Sequence, residues 1–332
     1  MEMKSSISRG FKLGVGLIFV AAITLVGCGG GSSANNTPAS TALTRAQIAA
    51  ITPAQIALYT EAQIVSLGAD INALSNSTLN ALSDRQLFAI TAAQIATLTP
   101  VQVRMIGAAA VGGVVGTSRI SELNAGAWAT LVSNPLQVAA ITQAEMMTIT
   151  EAEIVAIGVN FNSLSDSALN FLLGRQLFAI TAAQIATLTP AQVRMIGAAA
   201  VGGVVGTSRI SELNAGAWAT LVSNPLQVAA ITQAEMMTIT AAEIVAMGGN
   251  FKSLATPALQ ALSALQLLAI DAAQITVLTP TQISILAGLI ANTGISQLNT
   301  GAFSALSAVQ IAVLTPMQKA SLTAAQHTSC GC

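Results

Sequence analysis

The stretch Ile180–Gly197, ITAAQIATLTPAQVRMIG, holds two Thr-x-x-Gln tetrads eight residues apart, Thr181–Gln184 and Thr189–Gln192. A threonine followed three residues later by glutamine is the capping box of a helix start. The hydroxyl accepts from the N3 backbone N–H, and the N3 side chain reaches back to the N-cap N–H. Pro190 directly follows Thr189. That is the first helical position, where the missing N–H of proline is no loss. Two independent helix-start rules therefore agree on the same residue, and the spacing predicts a new short helix every eight residues.

The same octad runs through most of the chain. It occurs as Thr44–Gln47, Thr52–Gln55, Thr60–Gln63, Thr91–Gln94, Thr99–Gln102, Thr279–Gln282, Thr315–Gln318 and Thr323–Gln326. Glutamate replaces glutamine at Glu145, Glu153, Glu235 and Glu243, and proline again follows the threonine at Pro53, Pro100, Pro280 and Pro316. One continuous helix is excluded. Eight residues at about 100° each leave roughly 80° of drift per octad, so an Ile/Leu stripe would wind around the rod. Internal prolines would also remove hydrogen bonds. Helices of about two turns are unstable alone and must bury their Ile and Leu against neighbours. The expected fold is all-α, a solenoid-like array of short capped helices in tandem. The alternative is a β-solenoid, since Thr, Ile and Val favour strands, but abundant Ala, Gln and Met with first-turn prolines favour helix.

A longer period is superimposed. Arg85–Thr150 recurs as Arg175–Thr240, a shift of 175 − 85 = 90, with one difference, Val101 against Ala191. Weaker copies flank the pair: Ile295–Ser307 echoes the stretch from Ile210. The octads are interrupted at Arg104–Arg119 and again at Arg194–Arg209, which are rich in glycine. Gly112 and Gly116 form a Gly-x-x-x-Gly, but the uncharged run between arginines is too short to span about 30 Å of hydrocarbon. The phosphate-loop ending Gly-Lys-Ser/Thr is absent as well. A turn or short helix with closely packed glycines is expected there.

Composition narrows the function. Hydrophobic residues make up 53% of the 332 and charged residues only 8%, with a formal charge of −1. Such a surface is neutral and polar, so it lacks the basic footprint of a nucleic-acid binder, and weak charge repulsion favours self-association. His327 is the single histidine and lies near the C-terminus, so a Ser-His-Asp or Cys-His arrangement cannot form within the repeats. The acids fall at helix starts, where the helix dipole accommodates them. No cofactor and no catalysis are expected. Trp128 and Trp218, in the repeated NAGAWATL, are expected as packing anchors, with ligand or partner contact as the alternative. The tail offers His327, Cys330 and Cys332, weak metal candidates because a zinc site normally takes a fourth ligand. An intermolecular disulfide or a tail without a role are the other readings.

The N-terminus reads as an address. Lys4, Arg9 and Lys12 precede an apolar run, Leu13–Val26, which ends in Leu25-Val26-Gly27-Cys28. This has the basic and apolar zones of a signal peptide and is short for a span. The tetrad resembles the lipobox of bacterial lipoproteins. The resemblance implies lipidation of the Cys28 thiol and cleavage after Gly27; Gly29, in place of aspartate, points to the outer membrane. Several acyl chains anchor where one would not. The organisation expected is a lipoprotein signal peptide over 1–27, a flexible Gly/Ser/Asn/Thr tether over 28–43, a helical repeat domain over 44–326 and a cysteine-containing tail over 327–332. The Leu-Thr-x-Ala-Gln-Ile runs are similar to short repeats of bacterial surface and adhesin-like proteins. Together these resemblances imply a lipid-anchored envelope protein acting as a structural, interaction or adhesion scaffold. Its partners would be the membrane, through the anchor, and proteins or further copies of itself. A ligand-binding lipoprotein with a cleft near the tryptophans is the alternative.

Overall fold

The computed structural model describes residues 42–108, 118–198 and 209–331. The expected signal peptide, Cys28, the tether up to residue 41, the centres of both glycine-rich inserts and Cys332 lie outside the described residues. Residues from Ala42 onward form one unit with a single continuous apolar core. Among the described residues every regular element is an α- or 3-10 helix and none is a strand. The helical solenoid is therefore observed and the β alternative is not.

Each octad supplies a short helix and the turn to the next. Arg45–Ala49, Pro53–Ile56 and Glu61–Ser66 follow one another in this way, and the 3-10 helix Gly68–Ala73 comes next. Three elements complete one coil, so most elements pack on the third one further along the chain. Arg45–Ala49 lies against Gly68–Ala73, which lies against Ala92–Ile95; Glu61–Ser66 lies against Asp84–Ala89. The starts of successive layers are 68 − 45 = 23 and 92 − 68 = 24 residues apart, which is three octads. Across the glycine-rich insert the step lengthens: Ala92–Ile95 packs on Ala125–Ser133, and 125 − 92 = 33.

The inward pattern is equally simple. Within most octads the residue after the glutamine and the residue three further on are buried, as in Ile48 and Ile51, Ile64 and Leu67, or Ile95 and Leu98. Residues three apart share one face of a short helix, and the second of the pair sits where the helix ends. With only two inward positions per eight residues, no helix has a core of its own, and burial comes from the layers above and below. Phe161, Phe251 and Phe303 fill the same interior and are at most 2% exposed.

Glycine is required where layers approach. Gly107 and Gly197 have φ of +66° and +65°. Each donates its N–H to the backbone of the preceding layer, Gly107 to Leu79 O at 3.0 Å and Gly197 to Leu169 O at 2.9 Å. A Cβ on Gly197 would lie 2.9 Å from Leu177 Cδ1 and 3.3 Å from Leu172 O, whereas one on Gly158, also at positive φ, would meet nothing within 4 Å. The two glycines thus separate backbone preference from crowding. Gly158→Ala should cost about 1 kcal/mol for the left-handed backbone. Gly197→Ala should cost about 2–3 kcal/mol, because crowding adds to it. Chemical denaturation of the two variants measures the difference, and equal losses would contradict the close approach.

Candidate functional site

The helix starts carry the chemistry that distinguishes this chain. At Thr91, the hydroxyl accepts from Gln94 N at 3.3 Å, and the Thr91 N–H donates to Gln94 Oε1 at 2.9 Å. The same reciprocal pair forms at Thr52, Thr60, Thr99, Thr181 and Thr189 with Gln55, Gln63, Gln102, Gln184 and Gln192. The expected boxes at Thr44, Thr279, Thr315 and Thr323 are present as well. Boxes also open at Ser83, Ser263, Asp271 and Ser307. At Leu173 no hydroxyl exists, yet its N–H still donates to Gln176 Oε1 at 2.8 Å. The N3 side chain, usually glutamine, is therefore kept even where the hydroxyl is lost.

Its amide nitrogen explains why. Gln94 Nε2 donates to Ile64 O at 2.7 Å, Gln184 Nε2 to Ile154 O at 2.6 Å, and Gln274 Nε2 to Ile244 O at 2.6 Å. Each acceptor lies 30 residues earlier, at the C-terminal end of a helix in the preceding coil. Gln86, Gln176 and Gln266 reach two such carbonyls each, 30 and 27 residues back. Helix C-termini leave carbonyls without intrahelical partners, as helix N-termini leave N–H groups. One glutamine side chain satisfies both kinds of orphan, on two different coils. Gln94, Gln176, Gln184 and Gln274 are fully buried, where an amide with one unpaired end would be costly.

Asparagine performs the task where a glycine-rich insert has lengthened the coil. Asn124 Oδ1 caps its helix by accepting from Ala127 N, while Nδ2 donates to Phe88 O and Ile90 O at 2.8 and 2.6 Å; Asn214 repeats this with Phe178 and Ile180. Gln137 and Gln227 keep the downward half only. Gln137 Nε2 donates to Ile95 O and Leu98 O, both at 2.9 Å, but its Oε1 is buried without a partner. The N–H it would cap belongs to Asn134, which already donates to Leu131 O because a nine-residue helix runs straight into it.

Glutamate cannot donate, and Glu145, buried like its repeat counterpart Glu235, is placed accordingly. Glu145 Oε2 accepts from Thr142 N at 2.6 Å, and Oε1 accepts from the hydroxyl of Ser118, at the exit of the insert. Burial pushes the Glu145 carboxyl up from 4.5 to about 7, against the lowering effects of Thr142 and of Arg104. Arg104 itself donates to Ala140 O at 3.1 Å. Glu153 and Glu243 also close their boxes but are partly exposed.

The other candidates are placed differently. Trp128 and Trp218 are each 3% exposed and belong to the core. Both indoles therefore sit where the packing-anchor reading places them. Trp218 Nε1 donates to Glu243 O at 3.3 Å, while Trp128 Nε1 has no partner. Cys330 is disulfide-bonded, so its thiolate is not available to a metal. Cys332, with its part in that candidate set, lies outside the described residues. Among the described residues no group of three or more His, Cys, Asp or Glu side chains is arranged to hold a metal ion, and no helix is long and apolar enough to cross a membrane.

The surface carries two shallow neighbouring clefts, one lined by Tyr59, Thr60, Glu61, Ser83, Arg85 and Gln86 and the other by Glu61, Asp84, Arg85, Phe88, Ala89 and Glu122. Neither cleft has a histidine or cysteine in its lining. Arg119 pairs with Asp84 and Glu122 beside them, but in the next unit Gly174 replaces the aspartate and Arg209 keeps Glu212 only. No protein-family model and no curated protein matches the chain.

Two outcomes follow from this geometry. Gln184→Glu retains the cap but sets a buried carboxylate against Ile154 O, so it should destabilise by about 2–4 kcal/mol. Gln63→Glu, on an exposed box with no partner below, should change stability by under about 0.5 kcal/mol. Urea unfolding of the two variants checks the contrast.

Glu145 also sets a pH dependence. Its folded pKa lies above its unfolded value, so the native state holds the extra proton between about 4.5 and 7. Its contribution to stability is therefore greatest at the acidic side and falls as pH rises through that window, by up to on the order of 3 kcal/mol. Glu145→Gln should raise the melting temperature at pH 8 relative to wild type and flatten the slope between pH 5 and 8.

Proposed function

We propose that this chain is a lipid-anchored envelope scaffold, whose coils present repeated contact points to protein partners. The observation that carries the reading is the periodic outer surface. Phe88 and Phe178 are 65% and 66% exposed, and Leu136 and Leu226 are 67% and 68% exposed. Each pair is separated by 90 residues and occupies equivalent places in its unit. Large apolar side chains held outward twice over by one rigid ladder form a bivalent surface. Two weak contacts on one rigid body raise avidity without further contacts. Low charge leaves recognition to shape and apolar contact rather than to steering.

Support for the anchor is the tetrad Leu25–Cys28 with its basic and apolar approach. A lipidated Cys28 followed by a Gly/Ser/Asn/Thr tether would hold the array at a bilayer surface, and the outer membrane is the proposed location.

Cells expressing the full chain and its Cys28→Ala variant, fed a labelled fatty acid, test the anchor. Wild type should take up label and partition with membranes, and the variant should do neither. Membrane partition without label would contradict lipidation. Pull-down from envelope fractions with the full chain tests the scaffold. Captured protein should fall at least tenfold in Phe88→Ser and in Phe178→Ser, since either change ends bivalency. Capture unaffected by both changes would contradict the repeated surface as its source.

A further inference from the structure

Among the described residues the ladder has two unfinished ends, and they match. In the first described coil Gln47, Gln55 and Gln63 cap their own helices through Oε1. All three are exposed, unlike their buried counterparts further along, and among the described residues no acceptor receives the Nε2 of any of them. They form three unused donors at intervals of eight residues.

At the other end the same count of acceptors is unused. Several ladder glutamines, among them Gln86, Gln176 and Gln266, reach the carbonyl that follows the helix end in the coil below, while others such as Gln94 reach one within its last turn. Gln310 donates to Leu278 O at 2.8 Å, just beyond the helix Ala272–Thr276, and Gln137 donates to Leu98 O in the same manner. The equivalent carbonyls of the last coils are those of Leu306, Leu314 and Leu322, which follow the helices Thr300–Ser304, Ala308–Ala312 and Pro316–Ala320. No donor reaches any of these three among the described residues. They too are spaced by eight.

The register is also continuous. Most elements pack on the third one before them, and the ladder glutamines reach the fourth one before theirs. If the helix Arg45–Ala49 of a second copy followed Ala324–Cys330 as the next element, its Gln47 would face Leu306 O. Gln55 would then face Leu314 O, and Gln63 would face Leu322 O. We infer that the first coil of one copy docks on the last coil of another through these three donor–acceptor pairs. Because the two faces differ, the contact is heterologous and does not close on itself, and it extends into a filament of this chain. The occupant of each end is thus a second copy. This names a partner for the scaffold reading and gains its biological meaning from it. The stacking itself needs neither the lipid anchor nor the exposed phenylalanines.

The test uses the full chain in detergent, followed by sedimentation velocity over a hundredfold range of concentration and by electron microscopy. Wild type should grow in mass with concentration and form rods whose lengths are multiples of one particle. The triple variant Gln47→Glu, Gln55→Glu, Gln63→Glu keeps every cap, as Glu145 and Glu153 do in the native chain, but has no donor. It should keep the wild-type circular dichroism and associate at least tenfold more weakly. Its acceptor end is intact, so adding it to wild type should shorten the rods. A wild type that remains monomeric overturns the inference, as does a variant that associates like wild type or leaves rod length unchanged. A failure here leaves the envelope pull-down and its phenylalanine dependence untouched, so the two readings fail separately.

Discussion

A single glutamine side chain, bonded at both ends of its amide, is the interaction on which the rest depends. Oε1 fixes where a helix begins and Nε2 fixes what that helix rests on, as in Gln94 between Thr91 and Ile64. Short helices fail in water because so many of their backbone groups lack partners and so few apolar side chains can be buried. The ladder answers the first deficit and the stacked coils answer the second. Each net bond is worth about 1 kcal/mol, but a buried amide left half-paired costs more than that. The bonds therefore act mainly as register, allowing only one way to lay a coil on its predecessor.

The exceptions obey the same constraint. Glu145 stands where a serine hydroxyl, rather than a carbonyl, lies opposite, so an acceptor is tolerated. Asn124 and Asn214 take over where the insert lengthens the coil. Gln137 and Gln227 retain their downward bonds when the upward partner has been consumed by a longer helix. Only Gln137 and Gln227 lose the cap, and there the coil-to-coil bond survives; Glu145, Asn124 and Asn214 keep theirs.

The helices were legible because their starts are written locally. Threonine, proline at the next position and glutamine at the third obey rules that involve only four neighbouring residues, and the boxes at Thr52, Thr99 and Thr189 form as those rules require. The three-element coil was not legible, since nothing local says that helix Arg45–Ala49 will rest on Gly68–Ala73. The second task of glutamine was hidden for the same reason, as its acceptor lies 30 residues away and is a backbone carbonyl, which every residue has. One signal was present. Glutamate serves a capping box as well as glutamine does, so the preference for glutamine at so many octads points to a need for a donor. The tryptophans read more simply: an apolar indole in a repeated helix suggests a packing anchor, and Trp128 and Trp218 fill the layers.

The most direct measurement of the central claim is side-chain amide NMR on the isotope-labelled chain. Scalar coupling across the hydrogen bond, together with hydrogen exchange, reports on each glutamine separately. Gln184 Nε2 should couple to the carbonyl carbon of Ile154, and its protons should exchange far more slowly than those of the exposed Gln63, whose Nε2 meets no acceptor among the described residues. Rapid exchange at Gln184 with no coupling to Ile154 would contradict the ladder.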